Sequence, residues 1–139
     1  SLRAFWDSLA EQDPALPAAV QSFIDALEPL GVYTELRASL NFKADLADRD
    51  RPVNFGYITR GGQFWPNPAA WSLPKPIWMP YFELLASLVG GHIIDEPGSK
   101  FVAVNGRSVP RIGQFLPQHQ DVIVSAIEDM LRKLAAEEH

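Results

Sequence analysis

Apolar side chains recur at three- and four-residue intervals at the start of the chain and at every second position after Gly31, so helices should give way to sheet there. Leu2, Phe5, Trp6 and Leu9 form one helical stripe, which Asp13-Pro14 interrupts. Val20, Phe23, Ile24, Leu27 and Leu30 form a second. Pro17 suits the first turn of that helix, where a missing N–H costs nothing, and Gly31 suits its end, where the chain needs positive φ.

From Val32 to Asp45 the alternation predicts one long strand. Val32, Thr34, Leu36, Ala38, Leu40, Phe42 and Ala44 make its apolar face; Tyr33, Glu35, Arg37, Ser39, Asn41, Lys43 and Asp45 make its polar face. After the charged turn Asp48-Arg49-Asp50-Arg51, Val53, Phe55 and Tyr57 continue the apolar face, which directs Asn54, Gly56, Ile58 and Arg60 outward. Gly61-Gly62 marks a tight hairpin returning through Gln63-Phe64-Trp65.

Five prolines between Pro66 and Pro80, interleaved with Trp71 and Trp78, predict an irregular crossover, because proline lacks a donor and restricts the residue before it. A helix should follow Pro80, with Tyr81, Leu84, Leu85 and Leu88 inward and Gly90-Gly91 as its stop. His92-Ile93-Ile94 reads as a short strand. Phe101 to Val104 and Arg107 to Val109 flank Asn105-Gly106, a pair suited to a type I′ hairpin turn. A last helix is expected from near Pro117, with Ile123, Ala126, Ile127, Met130, Leu131 and Leu134 inward. Glu128–Arg132 and Asp129–Lys133 are spaced as surface pairs.

These elements predict an α+β fold: helices packed on one face of a mainly antiparallel sheet of about five strands. Trp6, Phe23, Phe42, Phe55, Tyr57 and Phe82 are its expected core. At 139 residues the chain is the length of one domain, 1–139, and its opening on Ser1 instead of Met fits a domain excised from a larger protein. With 47% hydrophobic residues it has the apolar content for a core.

Composition narrows the chemistry. The chain has no cysteine, so thiolate nucleophiles and sulfur-based zinc sites are excluded, and a reducing, cytoplasmic setting is expected. No apolar run reaches membrane-spanning length, and no membrane association is expected. The net charge of -5 disfavours broad nucleic-acid affinity. Its distribution is uneven: residues 1–30 carry five acids and one base, whereas residues 37–111 carry nine bases and six acids.

Glycine-rich phosphate loops, H-E-x-x-H, calcium loops and G-x-S-x-G elbows are all absent. His92, His119 and His139 are isolated. Two acidic groups, Asp45/Asp48/Asp50 and Asp95/Glu96 with Lys100, are the only starting points for a metal-dependent hydrolase or nuclease, the competing functional reading. Each also reads as a turn.

The favoured reading is a non-enzymatic binding or interaction domain without a cofactor. Arg37, Asn41 and Lys43 on the first strand, Asn54 and Arg60 on the second, and Trp65 and Trp71 at the crossover are its candidate binding residues. The expected partner is a protein or another domain of the parent chain; an anionic ligand or nucleic acid is the weaker alternative. A strong RNA-binding sheet would need two or three stacking aromatics, and this parity offers only Tyr33 and Ile58 as bulky residues on the outward face.

Overall fold

The computed structural model describes residues 1–137, and His139 lies outside them. Two helices open the chain, α1 (Leu2–Gln12) and α2 (Leu16–Leu27). Ser1 caps α1 by accepting a hydrogen bond from the Ala4 N–H at 3.2 Å, and Pro17 occupies the first turn of α2. Phe5 and Leu9 of α1 and Val20, Phe23 and Leu27 of α2 are buried. Trp6 is only half-buried, packing edge-on against Phe5. A 3-10 turn and Gly31, at φ +85°, then reverse the chain.

Val32 to Asp45 is a hairpin, not one strand. It comprises β1 (Val32–Leu36) and β2 (Leu40–Ala44), with Leu36 opposite Leu40 and Val32 opposite Ala44. The turn, residues 37–39, has an odd number of residues, so every even-numbered residue stays on the same face after the reversal. The alternation therefore survives the turn intact, and a single-strand reading follows naturally from it.

Next come β3 (Val53–Ile58) and β4 (Phe64–Trp65), completing a four-stranded antiparallel sheet in the order β1-β2-β3-β4. Gly61-Gly62 does form the β3–β4 turn, with Gly62 at φ +88°. The β2–β3 register shifts by one residue: Phe42 faces Gly56, but Lys43 faces Asn54, which leaves Phe55 as the extra residue of a bulge. Parity therefore flips beyond it. Ile58 enters the core, whereas Tyr57 is half-buried on the outward face beside Asn41, the reverse of the expected orientation. The buried Tyr81 hydroxyl donates to the Phe55 carbonyl at 3.1 Å, which ties α4 to the bulge. Burial pushes the Tyr81 phenol far above its ordinary value, which keeps it a donor.

The proline-rich segment is helical: α3 (Pro68–Ser72) and α4 (Lys75–Val89) replace the expected crossover. Pro68 and Pro76 stand at helix starts, where a missing N–H breaks no bond, and Pro74 caps α4 in extended conformation. Only the exposed Pro80 lies inside a helix. Ile77, Trp78, Tyr81, Phe82 and Leu85 make the buried side of α4.

The remaining strands, β5 (His92–Glu96) and β6 (Ser99–Ala103), form a separate two-stranded sheet around Pro97-Gly98. Asn105 and Gly106 do turn with positive φ, but a single bridge, Val104 to Ser108, follows instead of a ladder. The last helix, α5 (Gln120–Glu137), buries Ile123, Ile127, Met130 and Leu134. Arg132 pairs with both Glu128 and Asp129 at its surface. The inward residues of the large sheet meet the helices in one core that includes Phe23, Phe42, Phe55 and Phe82. Among the described residues, no helix is long and apolar enough to cross a membrane.

Candidate functional site

The outward face of the large sheet is built in rows across the strands. Tyr33, Lys43 and Asn54 form one; Glu35, Asn41, Tyr57 and Trp65 form the next, with one residue from each of the four strands. Asn41 sits at the junction: its amide donates to the Glu35 and Ser39 carbonyls, and its Oδ1 accepts from Asn54 at 2.9 Å. Both side chains are thus tied into the scaffold.

From Asn41 the row turns aromatic. Tyr57 and Trp65 stack with ring centroids 6.2 Å apart and planes 17° apart. Trp65 tilts against Phe101 of β6 at 5.7 Å, and the Arg107 guanidinium lies 5.5 Å over the Phe101 ring. This stripe joins the two sheets. At its end a cleft of about 430 Å3 opens between α3 and the β5–β6 turn, lined by Trp65, Asn67, Trp71, Ser99, Lys100 and Phe101 among others. Trp71 on α3 is 71% exposed. An indole so placed leaves a large apolar surface in water, which is uncommon for tryptophan away from contact sites.

Both walls are held in place. Asp95 accepts from Lys75 of α4 and Lys100 of β6, each at 2.7 Å, which clamps the hairpin to the helix. Arg49 donates to the Ser72 carbonyl at 3.2 Å at the end of α3. The Lys100 and Lys75 ammonium groups hold the Asp95 carboxyl below its usual value. Lys43 and Arg37 do the same for Glu35, at 2.8 and 3.1 Å. Glu96 takes both guanidinium nitrogens of Arg107, raising the Arg107 value further. Five cations on this side of the molecule therefore already face a carboxylate.

Next to Trp65, burial pushes the Tyr57 phenol up, and the Asn67 amide opposes the shift. Asn67 Oδ1 is closed off from solvent and has no hydrogen-bond partner.

No family model, curated protein or solved structure matches the chain.

Of the sequence-derived candidates, Asn41, Lys43, Asn54 and Trp65 share the outward face, Arg37 reaches Glu35 on it from the β1–β2 turn, and Trp71 joins Trp65 at the cleft. Arg60 does not join the rows. It lies in the turn beyond β3, where its carbonyl accepts from Ser8 and Gln12 of α1. The sequence parity missed Tyr57, and Asn67, Ser99 and Phe101 carried no signal of their own. Gly56 was the available clue, since a glycine inside an alternating strand marks a bulge.

Three of the acids take structural parts: Asp45 accepts from Tyr33 at 2.9 Å, Asp95 holds Lys75 and Lys100, and Glu96 holds Arg107. Among the described residues, no three His, Asp or Glu side chains converge to hold a metal ion. His92 is exposed on β5, opposite Ala103.

Proposed function

We propose that this chain is a non-enzymatic protein-interaction domain whose binding surface runs from the Asn41 region along Tyr57 and Trp65 into the Trp71 cleft. The carrying observation is the aromatic stripe, Tyr57–Trp65–Phe101, ending beside an indole that is 71% exposed. Rigid aromatic side chains supply large contact area for little loss of rotamer entropy, which is why they dominate the energetics of interfaces. The charge pattern supports a protein partner over a polyanion. A nucleic-acid surface gains affinity by releasing counterions from phosphates onto free Lys and Arg, and here Arg37, Lys43, Lys75, Lys100 and Arg107 are each engaged by an acid. The absence of cysteine supports a cytoplasmic setting for that encounter.

Affinity capture from a source lysate, read by mass spectrometry, tests the reading when wild-type and Trp71→Ala proteins are run side by side with and without nuclease. A protein retained by the wild type, lost with Trp71→Ala and indifferent to nuclease is the expected result. Capture that depends on intact nucleic acid would overturn it.

A further inference from the structure

We infer that the free edge of β1 accepts an added strand from a partner, an extended segment that alternates apolar and basic side chains. This edge lies across the sheet from Trp65 and the Trp71 cleft, so it is a second interaction site, independent of the first. The two edges of the sheet differ. Beyond β4 the chain covers its own edge: the Phe64 N–H donates to the Pro110 carbonyl at 3.0 Å, and the Ile112 N–H donates to the Gly62 carbonyl at 2.7 Å. Among the described residues, β1 pairs with β2 alone.

The phase of the β1–β2 hairpin identifies the groups left over. The Arg37 N–H donates to the Ser39 carbonyl at 3.0 Å, and hydrogen-bonded pairs in an antiparallel ladder recur at every second residue. Glu35 and Tyr33 therefore turn their backbone groups toward Asn41 and Lys43, while those of Val32, Thr34 and Leu36 point away from the sheet. No hydrogen bond within the described residues occupies them. Exposed edges are commonly blunted by proline, lysine or a bulge, and β1 has neither residue and pairs with β2 in unbroken register.

A groove of about 290 Å3 runs along this edge, lined by Ile24, Glu28, Val32, Tyr33 and Thr34. A strand laid against β1 sends every second side chain toward α2, where Ile24 and Val32 offer apolar contact. The alternate side chains pass Tyr33, which is 39% exposed and donates its hydroxyl to Asp45. Charge then selects the occupant. Residues 16–30 carry Asp25 and Glu28 and no base. Neither these two nor Asp45 forms an ion pair within the described residues, and the neighbouring Arg37 and Lys43 are both held by Glu35. Lysine or arginine on the outward parity of the added strand meets Asp45, and the two acids before β1 add to the same negative field. A second copy fits worse. It brings its own Asp25 and Glu28 to the junction, and each chain has a net charge of -5.

Three labelled eight-residue peptides, followed by fluorescence anisotropy on the full chain, test this: alternating valine and lysine, alternating valine and glutamate, and the valine-lysine peptide methylated at every backbone nitrogen. The methylated peptide keeps the charge and loses the donors. The unmodified valine-lysine peptide should bind saturably and at least tenfold more tightly than either of the others. In its complex, amide hydrogen exchange at Thr34 and Leu36 should slow several-fold, while Tyr33 and Glu35, already paired to β2, change little. Thr34→Pro should weaken binding at least tenfold, since it removes an edge donor without breaking a bond to β2, and Glu28→Gln should weaken it less. Melting temperatures separate lost contact from lost fold. Trp71→Ala should change nothing, so this site and the cleft stand or fall separately. Equal binding of the methylated peptide, unchanged exchange at Thr34 and Leu36, or no saturable binding overturns the inference. So does a free chain that sediments as a dimer broken by Thr34→Pro, because the edge then belongs to a second copy.

Discussion

Gly56 decides which side chains the sheet shows to the outside. It sits at φ +144° next to the bulge, and a Cβ there would stand 2.8 Å from the Trp65 carbonyl oxygen. Strain and collision act together, so Gly56→Ala should destabilise the protein by roughly 2–3 kcal/mol in urea unfolding, far more than an ordinary surface change. A loss below about 0.5 kcal/mol would mean that the bulge relaxes freely. The same residue explains why the polar face was only partly legible. Alternation places Asn41, Lys43 and Asn54 correctly, because all three precede the extra residue Phe55 along the chain, and it misplaces Tyr57 and Ile58, which follow it. Glu35 gives a second residue-level test. Lys43 and Arg37 depress its value below the ordinary 4.5, so its contribution to stability is present above that pH and is lost as pH falls through the folded value. Melting temperatures of wild type and Glu35→Gln should differ at pH 7 and converge as the pH is taken well below 4.5; a gap that persists in acid would assign Glu35 a role other than charge pairing.

At the scale of elements, helix periodicity was the most legible signal and proline the least. A stripe such as Val20, Phe23 and Leu27 has one geometric explanation, whereas a proline is compatible with either a helix start or a break. In Pro68, Pro74 and Pro76 the start won, because the Ile77, Trp78, Tyr81 and Phe82 side of α4 has a core to enter. Likewise the two glycine-containing turns, Pro97-Gly98 and Asn105-Gly106, are both visible in the sequence, but which closes a hairpin depends on the strands beside it. The β5–β6 hairpin stands outside the main sheet and is joined to α4 by the Lys75–Asp95–Lys100 clamp. Asp95→Asn should therefore speed amide hydrogen exchange at Ser99 to Phe101 several-fold while exchange in β2 stays unchanged. Equal acceleration in both sheets would show that the clamp stabilises the whole fold and not the cleft wall.

On the scale of the whole molecule, the chain separates an acidic helical side from a sheet side on which Arg37, Lys43, Lys75, Lys100 and Arg107 are paired with carboxylates. Partner binding through this face should accordingly show little salt dependence: raising salt from 50 to 200 mM should weaken it less than about threefold, where a protein contacting 6–10 phosphates loses roughly 10³ to 10⁵. A steep salt slope would return the paired cations to the binding account. The fold class follows from periodicity summed over long segments, and single misplaced turns do not disturb it. The cleft is different, since Trp65, Trp71, Ser99 and Phe101 come from three separate elements that meet only through tertiary packing. The four tryptophans make the most direct test. Trp65 and Trp71 line the cleft, Trp78 is buried on α4 and Trp6 lies on α1. In two-dimensional NMR each indole N–H gives its own resonance, so a titration with the captured partner reports on four places at once. The resonances of Trp65 and Trp71 should shift together and saturate, with those of Trp6 and Trp78 unmoved; shifts at Trp6 with Trp71 unmoved would contradict the account and move the binding surface to the helices.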